Sequence, residues 1–176
     1  MKKLEPLEPS PVKQITVLLA EDHAGVRRSL RLLLELDGNI KIVGEAKNGR
    51  EAVRLTQSLH PDVVVMDLAM PLLTGLQATE QIMEVLPATK VLILSAHPDP
   101  EYIKQAIVAG ASGYLLKQSS TRFLATAIRE VLKGNIYFGA LISKHVRDQC
   151  RKLFHKQELL KEEGGSSWSL VAVPSS

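Results

Sequence analysis

Cysteine is all but absent: Cys150 is the single one in 176 residues. No disulfide can staple this fold within one chain, and a reducing, cytoplasmic compartment is expected. Long apolar runs are missing too. None approaches the roughly 18 residues that a membrane span needs, and Met1-Lys2-Lys3-Leu4-Glu5-Pro6 lacks the apolar stretch of a secretory signal. The five histidines show no metal-ligand spacing. The first apolar run leads into Glu21-Asp22, not into glycines, which argues against a dinucleotide cradle. Charge of one sign is scarce. The net charge of +3 collects at the two ends, while residues 15–134 are balanced. Such a mixed surface has little hold on phosphate backbones, so neither nucleic acid nor membrane is an expected partner of this chain. No internal repeat is visible.

What is present alternates. Short apolar runs at 15–20, 40–44, 62–67, 90–95 and 112–116 read as buried strands. Amphipathic stretches near 24–36, 49–59, 75–86, 99–109 and 120–133 read as helices, the first with Val26, Leu30, Leu33 and Leu34 on one face and Arg27, Arg28 and Arg31 off it. Thr74 and Asp99 stand where helix caps belong. This alternation predicts an α/β domain, a doubly wound parallel sheet of flavodoxin-like (βα)5 type with strand order 2-1-3-4-5. Residues 1–14, rich in Pro, Glu and Lys, read as a flexible leader, 15–134 as the domain, and 135–163 as a linker helix. Residues 164–176 read as a disordered tail. In the linker, Leu141, Ile142, His145, Val146, Cys150, Leu153 and Phe154 recur at helical spacing, a stripe suited to packing on this domain or on a second copy.

The chemistry gathers at strand ends. Glu21 and Asp22 follow the first strand, Asp67 ends the third, Ser95 the fourth and Lys117 the fifth. In a parallel sheet the carboxyl ends of neighbouring strands converge on one crevice. Three carboxylates crowded there disfavour one another's ionisation unless a cation sits among them, which points to a divalent metal. Each residue also has a plainer reading: solvated acids at loop starts, a serine helix cap, a solvated lysine. The weight lies in their arrival at one edge from four strands.

These residues, in this order, resemble the receiver domain of bacterial two-component response regulators. The matching segments are Ala20-Glu21-Asp22-His23, Asp67-Leu68-Ala69-Met70-Pro71, Ser95-Ala96 and Gly110 to Lys117. With Val43-Gly44-Glu45-Ala46 and Asn48-Gly49, the match is most similar to the branch that carries a carboxyl-terminal helix-turn-helix (LuxR-type) DNA-binding domain. The resemblance implies that Asp67 accepts a phosphoryl group from a sensor histidine kinase. It implies Mg²⁺ held by Asp22, Asp67 and the backbone carbonyl of Ala69, with Glu21 acting through water. Lys117 would pair with the phosphoryl oxygens, Ser95 would read them out, and Tyr114 would be the aromatic switch; as a plainer reading, Tyr114 is a half-buried strand aromatic. The chain would catalyse only its own phosphorylation and dephosphorylation.

Two departures accompany the resemblance. Gln118 stands where many receivers have a proline. No helix-turn-helix pattern follows Gly134, so the sequence reads as a stand-alone receiver or as one whose effector was removed or lost. The signal would then leave through a surface, with a homodimer as one outcome. The alternative is a receiver-like scaffold that binds a partner without phosphorylation, and a third reading is a magnesium-dependent enzyme for a small phosphorylated substrate.

Overall fold

The computed structural model describes residues 13–162, so the leader expected at 1–14 falls almost wholly, and the tail at 164–176 wholly, outside the described residues. Six strands form one parallel sheet: β1 (Ile15–Ala20), β2 (Ile40–Ala46), β3 (Val63–Asp67), β4 (Lys90–Ser95), β5 (Gly113–Leu116) and β6 (Tyr137–Phe138), in the order β2-β1-β3-β4-β5-β6. The helices are α1 (Ala24–Glu35), α2 (Gly49–Leu59), α3 (Gly75–Val85), α4 (Pro100–Val108), α5 (Lys117–Leu132) and α6 (Lys144–Glu162). Side chains alternate across the central strands. Val17, Leu19, Val63, Val65, Leu92 and Leu94 pack towards α1 and α5. Leu18, Val64, Met66, Val91 and Ile93 pack towards the helices of the other face. Strands buried on both faces are therefore apolar throughout, as a parallel sheet requires.

Local chemistry fixes the helix starts. Asn48 Oδ1 accepts from the Glu51 amide at 2.9 Å, and Asp99 caps α4 ahead of Pro100. Thr74 and Gln77 form a reciprocal capping box on α3. Gly75, next in the chain, has no room for a side chain: a Cβ there would lie 2.1 Å from the carbonyl oxygen of Asp67. The start of α3 thus presses directly on the end of β3.

The structure departs from the expected pattern in four places. Residues 137–138 form a sixth strand beside β5, where a helix was expected to begin, because Tyr137 N finds the Ser112 carbonyl and Gly139 N that of Tyr114. The following helix starts at Lys144, which leaves Leu141 exposed in the connection while Ile142, Val146 and Cys150 are buried. Helix α5 starts at Lys117, three residues before the expected 120. In α1, Arg27 is buried with Leu30 and Leu34, whereas Val26 is exposed.

Helix α6 packs on α4 and joins the same core, with Gln157 Nε2 donating to the Val108 carbonyl at 3.0 Å. Burial pushes the Cys150 thiol up to about 11, so it packs as a small neutral side chain.

Candidate functional site

The carboxyl edge of the sheet brings the strand-end residues together, and their surroundings differ. Glu21 leaves β1 into the interior, with its side chain only 2% exposed, whereas Asp22, one residue on, is 28% exposed. Asp67, last in β3, is buried at 4%. Lys117 reaches over from the first turn of α5, and its Nζ lies 2.8 Å from Glu21 Oε2 and 3.2 Å from Asp67 Oδ1. The early start of α5 thus fixes this ammonium at the root of a helix rather than on a loose connection.

Burial raises the Asp67 carboxyl above the usual carboxylate range, and the neighbouring charge of Glu21 raises it further. Lys117 opposes both, and the Ala69 amide reaches Asp67 Oδ1 at 3.4 Å. For Lys117, burial favours the neutral amine, but Glu21 and Asp67 outweigh it and the net shift is upward. The lysine therefore remains an ammonium.

Three carboxylates against one ammonium leave the pocket short of positive charge. Glu21 Oε2 is a buried oxygen whose partner is the Lys117 ammonium at 2.8 Å. This donor set fits a small divalent cation that prefers oxygen ligands and retains waters. Carboxylate oxygens of Glu21 and Asp22 and a ring nitrogen of His23 lie within 4.8 Å of one another. Asp67 lies outside that group and faces Lys117 instead. Ala69, two residues beyond Asp67, is exposed.

Ser95 and Tyr114 are joined through one residue of the β4–α4 loop. Ser95 Oγ accepts the His97 amide at 3.0 Å, and the Tyr114 hydroxyl donates to the His97 carbonyl at 2.9 Å. Both side chains are fully buried, so Tyr114 is not the half-buried strand aromatic of the plainer reading. Its ring occupies the inward position, and burial pushes its hydroxyl upward. The His97 ring lies 6.2 Å from that of Tyr102 on α4, which closes a cleft of about 240 Å³ with Leu68, Ala69, Thr74 and Leu76.

One residue of this region escaped the sequence reading. Arg27 Nη1 donates to the Glu21 carbonyl at 2.7 Å and its Nε to Glu45 Oε2 at 2.9 Å. A signal is present in the sequence: Arg27, Leu30 and Leu34 share helical spacing as well as Val26, Leu30 and Leu33 do, but a charged residue ordinarily faces solvent.

A doubly wound parallel sheet with a buried acid–lysine pocket at its carboxyl edge is the architecture of a receiver. The chain belongs to the response regulator receiver family, whose domain matches residues 17–129. Over 137 residues it is 43% identical to the transcriptional regulatory protein LiaR of Bacillus subtilis, covering 78% of this chain and 65% of that protein. It is 31% identical to the transcriptional regulatory protein DegU of Brevibacillus brevis over 152 residues, 86% of this chain and 64% of that one. The chain thus spans just under two thirds of the length of these two relatives. A LuxR-family two-component response regulator from Aurantimonas superposes with a TM-score of 0.70 at 31% identity, over 84% of this chain and 99% of the other. Among the described residues no helix is long and apolar enough to cross a membrane.

Proposed function

We propose that this chain is a phosphorylatable receiver that takes a phosphoryl group from a sensor histidine kinase onto Asp67. The observation that carries this reading is Lys117 Nζ poised between Glu21 and Asp67 at the ends of two strands. An Asp67 oxygen attacks phosphorus while the bond from phosphorus to the donor's nitrogen or oxygen breaks, giving an acyl phosphate. Bound Mg²⁺ would supply the charge that lets two anions meet, held by Asp22 and Asp67 with the Ala69 carbonyl, and by Glu21 through water. Lys117 offers a compact cation to the phosphoryl oxygens. Ser95, reaching towards them, would draw on the His97 segment, which Tyr114 holds from the other side. That movement reaches α4 and, through Val108 and Gln157, α6.

In this reading the chain acts on no other substrate. It works in the cytoplasm, and in a full-length regulator its output is transcriptional, through a surface that favours self-association or releases an effector. Intact-mass spectrometry after acetyl phosphate and Mg²⁺ tests it. One added phosphate on the parent, lost on omission of Mg²⁺ and in Asp67→Asn, is the expected result. A parent that stays unlabelled would favour the scaffold reading.

A further inference from the structure

Three charged side chains are buried among the described residues: Glu21, Asp67 and Arg27. The first two belong to the acidic pocket. Arg27 has no part in the chemistry above, yet it is 8% exposed, and a cation is not taken out of water without compensation. Its compensation is specific. One arm of the guanidinium holds the backbone carbonyl of Glu21, the first residue beyond β1, and the Nε edge holds Glu45 on β2.

The sheet is deformed to make this possible. Pairing of β1 with β2 runs Val17 to Ile42 and then Leu18 to Gly44, so Val43 is an extra residue. Ile40 and Ile42 face the α1 side, and in a regular strand Glu45 would then face the other side. The bulge turns it back towards α1, where it meets Arg27 and also Arg31 Nη1. Arg31, and then Arg27, hold the Glu45 carboxyl below the usual carboxylate range once burial is overcome, so it remains charged as Arg27's partner. Gly44 completes the bulge: a Cβ there would lie 2.7 Å from Leu59 Cδ1 and 2.9 Å from Leu18 Cδ1.

We infer that Arg27 is a positioning residue for the acidic pair, fixing the peptide that presents Glu21 and Asp22 by tying it to Glu45. The inference rests on the receiver reading, because the pair matters only as a cation site. Glu21 and Asp22 leave the sheet where ladder bonding ends, with the Glu21 amide on the Ala46 carbonyl as the last rung. The Glu21 carbonyl is the next backbone group, and Arg27 takes it. Partners one step behind metal ligands commonly set affinity by orienting them. A lysine would substitute only in part, since a point ammonium cannot serve both acceptors along the two directions of the guanidinium.

The test uses the full chain as parent, Arg27→Met, Arg27→Lys and Glu45→Gln, with Mg²⁺ alone titrated by calorimetry and Mn²⁺ followed by its electron paramagnetic resonance. Urea midpoints are recorded beside them. Arg27→Met should weaken Mg²⁺ about tenfold, with Arg27→Lys intermediate and Glu45→Gln weaker in effect because the carbonyl bond survives. Lowered urea midpoints with parental Mg²⁺ and Mn²⁺ affinity would mean that Arg27 only supports the fold, and would overturn the inference. If Arg27→Met does not fold, parental affinity in both other variants overturns it equally. A parent that binds Mg²⁺ and is phosphorylated while all variants match it sinks this inference alone. A parent that does neither sinks the receiver reading with it.

Discussion

Asp67→Asn should make the protein more stable while abolishing its chemistry. In the fold the Asp67 carboxyl is buried beside Glu21, and both effects raise its pKa. The folded chain therefore keeps this proton to higher pH than the unfolded chain does. Stability falls as pH rises from the unfolded value, about 3.9, through the folded one, and ionised Asp67 is a net cost at neutral pH. An asparagine fills the same space, can still accept from Lys117 and the Ala69 amide, and carries no charge. Relief of a functional site of this kind is commonly worth about 1–2 kcal/mol, and in a chain of this size each kcal/mol moves the thermal midpoint by about 2–4 °C. Urea unfolding of both proteins between pH 4 and pH 8, without divalent metal, would measure the difference. The gap should be small at pH 4 and widen towards pH 7. Mg²⁺ at ten times its dissociation constant should then stabilise the parent by about 1.4 kcal/mol and the variant much less. An Asn variant that is less stable than the parent at pH 7 without metal would refute the reasoning, because the ionised carboxylate would then be a structural asset.

Other expectations follow from the same geometry. Lys117→Met removes the cation from two buried carboxylates and should cost about 3 kcal/mol. Because the Lys117 pKa is raised, its stabilisation is present below lysine's ordinary value of about 10.4 and is lost as pH rises through the folded value, so alkaline unfolding should lose this limb in the variant. Asp22→Ala should weaken Mg²⁺ binding more than Glu21→Ala, by calorimetry; equal losses would mean that the direct and water-mediated ligands are wrongly assigned. Val146→Ala, which cuts two buried methyl-sized groups from the apolar face of α6, should cost about 2 kcal/mol and speed amide exchange in α6 before the rest of the domain. Unchanged exchange there would show that α6 is held by something other than its apolar face.

The strands and the residues at their ends were legible because a parallel sheet leaves two plain marks. Runs such as Val63-Val64-Val65-Met66 are apolar on both faces, and the residue that breaks the run marks the edge where chemistry collects. Caps such as Thr74 and Asp99 were legible for the same local reason. What could not be read depends on partners distant in sequence. Burial of Arg27 is decided by a carbonyl just beyond β1 and a carboxylate on β2, and the bulge at Val43 by how β2 pairs with β1. Strand β6 is two residues long and owes its existence to the free edge of β5, so Tyr137 and Phe138 alone gave no period to detect. The buried position of Tyr114 likewise depends on the His97 carbonyl, which the sequence places 17 residues away.

The central claim, that Asp67 is the nucleophile, is tested most directly by locating the phosphoryl group itself. Borohydride cleaves an aspartyl phosphate reductively and leaves homoserine at the labelled position. After incubation with acetyl phosphate and Mg²⁺, reduction and peptide mapping should recover homoserine at position 67 and at no other acid, with none when Mg²⁺ is withheld. Reduction at Asp22 or Glu21, or a borohydride-resistant phosphate on Ser95 or a histidine, would contradict it.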